Sequence, residues 1–429
     1  MFLPNQRPIA LISVHGDPAI DIGKEEAGGQ NVYVRHVGEA LARMGWDVTL
    51  FTRRVAADQA EVVEHHPHCR TVRLTAGPQT FVPRDELFEY LPEFVDAFLN
   101  YQERINQGFP IVHTNYWLSS WVGMELRQRQ AMHQVHTYHS VGAVKYQAVE
   151  SIPAIAEVRL ATERRCLETV SCVVATSPQE AEHLRSLVST QGEIVVIPCG
   201  TDIERFGHIS RADARTQLGL GQDERIVFYV GRFDPRKGIE TLVRAVGESC
   251  VREIPNLHLL IGGGSRPGHS DGRERDRIEA IVTELGIQPL TTFTGRISDS
   301  DLALYYAAAD VCVVPSHYEP FGLVAIEAMA SYTPVVASDV GGLQFTVVPD
   351  QTGLLVPPKD VEGFAQAIAH ILNHPSNADR FGKTARHRVV EKFSWDGVAN
   401  QLSQLYGDLL SNPSSVSAVT PAPIHQLSA

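Results

Sequence analysis

The sequence has little of what marks a secreted, membrane-spanning or nucleic-acid-binding protein. Its six cysteines (Cys69, Cys166, Cys172, Cys199, Cys250 and Cys312) form no C-x-x-C pair in 429 residues. Such scattered thiols suit neither a disulfide framework nor a zinc site, and fit a reducing compartment. The amino terminus offers only the apolar run 9–14 before polar His15 and Asp17. That is too short for an export signal, and the run of about 20 apolar residues that a spanning helix needs is absent. A cytoplasmic protein is expected. Positive charge is also scarce, with a formal net charge of -13. This argues against nucleic acid or an anionic membrane as the main partner, although a local group of Arg and Lys can still hold a small anion. Finally, no G-x-x-x-x-G-K-[ST] is present, which removes the P-loop kinases and ATPases.

What is present is a soluble balance, 43% apolar and 20% charged. Short β-branched runs alternate with helical patterns in two series. The first comprises 9–14, 48–51, 111–113, 135–138, 173–176 and 194–197; the second 226–230, 257–261, 292–294, 311–314, 335–337 and 354–356. Continuous apolar strands alternating with helices predict parallel sheets covered on both faces. The expected fold class is therefore α/β, with two doubly wound Rossmann-like domains whose ligands gather at the carboxyl ends of the strands. The expected limits are 1–205 for the first domain and 206–395 for the second. A helix over 396–410 is expected to cross back to the first domain. Residues 411–429, with five Ser and three Pro among 19, read as a disordered tail. Residues 265–277 read as a surface loop, and His65-His66-Pro67-His68 as a solvated loop rather than a metal site.

Four segments carry groups suited to chemistry. Glu319 and Glu327 are eight apart. Glu319 falls in the loop after a buried strand, and Pro320 and Phe321 are expected to open a helix whose free amides suit a phosphate or a sugar hydroxyl. Spacing alone also allows two solvated glutamates. Against this, Glu327 has Val324, Ala325, Ile326, Ala328 and Met329 for company, and a buried carboxylate needs a partner. Next, Gly231-Arg232 and Lys237-Gly238 follow a strand end, placing two cations where a departing diphosphate would need them; an exposed basic turn is the plainer reading. Gly28-Gly29-Gln30 permits close backbone approach at a strand-to-helix turn, although taken alone it reads equally well as a plain turn. In His136-Thr137-Tyr138-His139, His136 reads as a core residue and His139 as the one past the strand end. No third ligand completes a metal set near them.

Together these segments resemble the retaining GT-B glycosyltransferases of family 4, which include sucrose synthases and sucrose-phosphate synthases. The likeness spans about residues 8–410 and is supported by Gly341-Gly342 and 353–356. It is greatest to the sucrose-phosphate synthases, through Gly28-Gly29-Gln30, the segment 81–87 with Arg84, Thr114-Asn115-Tyr116 and the segment 139–145. The resemblance implies His139, Arg232, Lys237 and Glu319 as catalytic residues. It implies Gly29, Arg232, Lys237, Phe321, Gly322, Leu323 and Glu327 for the donor, UDP-glucose or ADP-glucose. Gly28, Gln30, Arg84, Tyr116, Ser140, Lys145 and Arg159 would hold the acceptor, fructose 6-phosphate. No metal and no obligatory cofactor are implied, and a separate phosphatase would act on the product. Inositol phosphate is the rival acceptor; sucrose synthase chemistry fits less well, since the cations favour a phosphorylated acceptor. Two classes remain to be distinguished: a sugar-binding protein of the periplasmic type, which would need an export signal, and an epimerase of the same fold.

Overall fold

The apolar runs become strands because residues buried on both faces of a sheet must be apolar throughout. A computed structural model describes residues 7–20, 28–148 and 152–411. The first half contributes β1 (Arg7–Ile12), β2 (Trp46–Arg53), β3 (Val62–His66), β4 (Cys69–Leu74), β5 (Ile111–Asn115), β6 (His133–Thr137), β7 (Cys172–Ala175) and β8 (Ile194–Val196). Their order in the sheet is β3-β4-β2-β1-β5-β6-β7-β8. β1 is central, with Ile9 opposite both Val48 and Ile111. All pairings are parallel except that of β3 with β4. The second half contributes β9 (Arg225–Val230), β10 (Leu257–Gly262), β11 (Thr291–Gly295), β12 (Val311–Val314), β13 (Val335–Ser338) and β14 (Gly353–Val356). These form a fully parallel sheet in the order β11-β10-β9-β12-β13-β14. The fold is α/β with two Rossmann-like parallel sheets.

The helix Trp395–Ser411 packs on the helix Gly29–Arg43 of the first half. Trp395 stacks on His36 with ring centroids 5.4 Å apart. Trp46 Nε1 donates to Ser403 Oγ at 2.9 Å, and Tyr406 Oη lies 2.6 Å from Nδ1 of fully buried His113. Among the described residues no helix is long and apolar enough to cross a membrane. Of the expected tail 411–429, Ser411 is the last residue of the helix Trp395–Ser411, and 412–429 lie outside the described residues.

Three local expectations are corrected. His65 and His66 are not in a loop but on β3, an edge strand paired antiparallel with β4; His65 Nε2 meets Thr71 Oγ1 at 2.7 Å. The segment 265–277 is a loop only at its start, because the helix Ser270–Glu284 begins within it. That helix is lined with ion pairs one turn apart, such as Arg275–Glu279 at 2.8 Å, which suit a helix of low hydrophobicity. Pro320 and Phe321 do not open a helix. The helix is Leu323–Ala330, and Gly322 before it takes φ 97°, a left-handed conformation that belongs to a turn.

Candidate functional site

In a doubly wound sheet the crevice forms where strand order reverses. The reversal lies between β1 and β5 in the first sheet and between β9 and β12 in the second. Gly28–Gln30, Tyr116, the segment 231–238 and the segment 319–327 follow these four strands, while His139–Lys145 follow β6, Arg84 follows β4 and Gly341-Gly342 follow β13.

On the second sheet, β9 runs directly into Gly231 and exposed Arg232. Asp234 caps the short turn Pro235–Lys237, accepting from the Arg236 amide at 3.0 Å. Gly238 closes that turn at φ 68° so tightly that a Cβ there would lie 1.9 Å from the Pro315 carbonyl oxygen. The two loops are thereby pressed together, and Lys237 Nζ donates to Glu319 Oε2 at 2.6 Å. Ser316 Oγ adds a longer bond to the same oxygen, 3.4 Å. Gly341 and Gly342 hold the Glu319 loop from behind. The Gly342 amide donates to the Glu319 carbonyl at 3.1 Å, and a Cβ on Gly342 would stand 2.3 Å from Phe321 Cα. Two turns along, Glu327 is partly buried and accepts from Tyr306 Oη at 2.8 Å. Burial pushes its carboxyl up to about 7, against the pull of that hydroxyl and of Arg205. A carboxyl so poised gains from a ligand that offers hydroxyl donors.

On the first sheet, Gly28 is extended at φ −170° and Gly29 starts its helix. A Cβ on Gly29 would sit 3.0 Å from Leu323 Cδ1, so the two glycine-led helix starts face each other across the cleft. Gln30 Nε2 donates to Ser13 Oγ at 2.9 Å and more weakly to the Asn115 carbonyl at 3.4 Å. His139 takes φ 57°, strained for a residue with a Cβ, and its Nε2 lies 2.8 Å from Asn115 Oδ1. The Asn115 amide nitrogen points to the carbonyls of Ile12 and His113. Its oxygen is therefore left to accept, which makes Nε2 of His139 the protonated nitrogen. Burial, with His113 nearby, pushes His139 down to about 3, so the imidazole is neutral. His136 is a fully buried core residue, with Nδ1 3.0 Å from Thr114 Oγ1.

Tyr116 follows β5 with φ 74°. Its ring lies under the guanidinium of Arg159 at 5.0 Å and of Arg84 at 5.7 Å, with His15 at 4.6 Å. Burial pushes Lys145 down to about 8, and the charges of Arg159, Arg84 and Arg236 push the same way. A phosphate dianion placed there would restore its full charge. Arg159 differs from expectation in its placement. It is 1% exposed, with Nε 2.7 Å from Glu163 Oε1, Nη2 2.6 Å from the Ser140 carbonyl and Nη1 3.2 Å from Tyr116 Oη. It stands behind the pocket wall and braces Ser140 and Tyr116, because a buried guanidinium must spend its donors on fixed acceptors.

The structure thus gathers Gly28, Gly29, Gln30, Arg84, Tyr116, His139, Ser140, Lys145 and Arg159 along the first sheet's crevice. Arg232, Lys237, Glu319, Phe321, Gly322, Leu323 and Glu327 lie along the second. The sequence reading assigned nothing to His15, Tyr306, Tyr318 or Arg236. Of these only Arg236 carried a signal, as a third cation in the turn with Arg232 and Lys237.

Residues 28–200 match the family model of the glycosyl transferase 4-like domain, and residues 210–388 that of glycosyl transferases group 1. A D-inositol 3-phosphate glycosyltransferase of Nocardia farcinica is 37% identical, over 95% of this chain and 91% of its own. One from Corynebacterium aurimucosum is 34% identical, over 94% and 96%. Among solved structures, a sucrose-phosphate synthase from Thermosynechococcus elongatus is 56% identical, with a TM-score of 0.88 over 95% of this chain and all of that one. A glycosyltransferase from Rickettsia africae, at 19% identity and a TM-score of 0.71 over 95% of this chain and 100% of its own, shares the fold. With one glycosyltransferase domain in each half and relatives that match from end to end, the chain belongs to the GT-B glycosyltransferases.

Proposed function

We propose that this glycosyltransferase is a hexosyltransferase that moves glucose from UDP-glucose or ADP-glucose to the anomeric hydroxyl of fructose 6-phosphate. The glucosyl carbon retains its configuration, and the product is sucrose 6-phosphate. The observation that carries this reading is the pair of cations Arg84 and Lys145 beside Tyr116 and Ser140, which Arg159 braces from behind, across the cleft from the Lys237–Glu319 pair. A phosphate dianion is held best by several cations and hydroxyls. The 56% identity to a sucrose-phosphate synthase favours fructose 6-phosphate as the bearer of that phosphate. A second reading, with inositol phosphate as acceptor, draws on the 34–37% identity to enzymes of that name.

In this reading residues 1–205 bind the acceptor, 206–395 bind the donor, and the helix 396–410 ties the second half to the first. Lys237 and Arg232 neutralise the charge that develops on the leaving diphosphate. The departing oxygen accepts the acceptor's proton, so attack and departure share one face of the sugar. Neutral His139 orients the glucosyl 6-hydroxyl. Glu319 gives up part of its bond to Lys237 for glucosyl hydroxyls, and Glu327 takes the ribose diol. The amides at Phe321, Gly322 and Leu323 meet the sugar or phosphate, as do Gly28, Gly29 and Gln30 from the opposite wall. The product carries a phosphate ester, so a separate phosphatase is needed to release sucrose.

Product analysis tests the proposal. The protein is incubated with UDP-glucose or ADP-glucose and, separately, fructose 6-phosphate, fructose or inositol phosphate. Sucrose 6-phosphate as the main product is expected. A dominant inositol phosphate glycoside would transfer the assignment to the second reading, and free sucrose would point to sucrose synthase. An epimer formed without acceptor would replace all three.

A further inference from the structure

The cation group around Tyr116 is completed from the opposite half. Tyr318, in the loop after β12, donates its hydroxyl to Ser140 Oγ at 3.4 Å across the cleft. Ser140 is in turn held by Arg159. The amide of His317, one residue earlier, donates to the Arg236 carbonyl at 2.7 Å, so the turn carrying Arg236 is tied to the same loop. Asp234 aims the Arg236 guanidinium through both oxygens, with Nε to Oδ1 at 3.1 Å and Nη2 to Oδ2. The charge of Arg236 acts on Lys145 together with those of Arg84 and Arg159. Glu163 and Asp234 balance Arg159 and Arg236 in part, but among the described residues nothing accepts from Nη1 of Arg236, which leaves that group for an anion shared with Lys145.

We propose that Arg236 is a further binding residue for the acceptor's phosphate, reaching it from the donor half, and that Tyr318 is the positioning residue that seats its loop on Ser140. This rests on the acceptor reading above and deepens it. The phosphate, rather than the sugar, then joins the two halves. Since Lys237 is the next residue in the chain, a phosphorylated acceptor also helps to place the group that stabilises the leaving diphosphate. An acceptor without phosphate binds one wall of the cleft only.

The test uses Arg236→Ala, Arg236→Lys and Tyr318→Phe in the full chain, with initial rates at varied fructose 6-phosphate and varied UDP-glucose. For Arg236→Ala the KM for fructose 6-phosphate should rise about tenfold or more, the usual loss for one charged hydrogen bond, and that for UDP-glucose less than about twofold. Arg236→Lys should recover part of the loss, since it keeps the charge without the fork. Tyr318→Phe should raise the same constant by a smaller factor. An unchanged acceptor KM in Arg236→Ala, or an equal rise for the donor, overturns the proposal. If the unaltered protein makes no product from fructose 6-phosphate, the acceptor reading alone has failed. Inorganic phosphate is then titrated calorimetrically into UDP-saturated protein. Weaker binding by Arg236→Ala supports the proposal; equal affinity, or no binding by either, overturns it.

Discussion

At the scale of single residues, Lys237 and Glu327 carry the sharpest consequences. The bond from Lys237 to Glu319 holds both groups ready before any donor arrives. Lys237→Ala removes the cation and strands a partly buried carboxylate. Turnover should fall by about 10²–10³-fold, the usual loss for one group that stabilises developing negative charge. Steady-state kinetics would measure this, and turnover within a few-fold of the original would remove Lys237 from the chemistry. For Glu327 the raised value sets a pH dependence. Its folded value of about 7 exceeds the ordinary carboxyl value of 4.5, so its contribution to stability is full below 4.5 and is lost as pH rises through 7. Without ligand, the protein should therefore lose Tm between pH 5 and 8 relative to Glu327→Gln. UDP affinity should rise over the same interval in the original protein, beyond any rise in the variant, which keeps every other titrating group. Parallel profiles for the two proteins would contradict this. Both carboxylates were legible in the sequence, Glu327 because apolar neighbours surround it. The burial of Arg159 was not, because a polar helix pattern does not reveal that Glu163, one turn on, turns inward with it.

At the scale of elements, the Glu319 loop depends on the glycine pair behind it. Gly342 has an ordinary φ of −68°, so alanine there meets no backbone strain, only the Phe321 and Pro320 atoms that leave no room for a Cβ. Gly342→Ala should cost about 1–3 kcal/mol, the range for overpacking, and should weaken UDP-glucose binding more than acceptor binding. Chemical denaturation and the two KM values would check this. The helix Trp395–Ser411 gives a second case. Tyr406→Phe leaves Nδ1 of His113 buried without its partner, at a cost of about 1–3 kcal/mol. The loss should appear in equilibrium unfolding. Strands such as β9 and β12 could be read from the sequence because both faces are buried. β3 could not, because an edge strand written Val-Val-Glu-His-His has no apolar run, and Val62 is exposed. The helix Ser270–Glu284 was missed in part for a related reason: charge pairs along its surface, rather than an apolar stripe, accompany its first turns.

At the scale of the molecule, the two sheets present their reversal points to a shared cleft, and a nucleotide should tighten it. Saturating UDP at about 100 times its Kd should add about 2.7 kcal/mol to stability. UDP together with fructose 6-phosphate should reduce the radius of gyration in small-angle scattering more than UDP alone. An equal reduction by UDP alone would place closure under the control of the donor. The pairing of two α/β halves was legible from the two series of apolar runs. Which side chains meet across the cleft was not, since Tyr318 and Ser140 are 178 residues apart.

The return of the last described helix has a consequence for the order of events during synthesis. Domains generally fold as units, the first to emerge from the ribosome folding first. Here Trp46 and His113 emerge early, yet their partners Ser403 and Tyr406 come at the far end of the chain. The nascent first half must wait, with that seam wet and open, while the whole second half is translated. A pause or truncation before residue 395 would thus leave the earlier-made half unfinished, and a chaperone that shields the surface of the helix Gly29–Arg43 would have most to do in that interval.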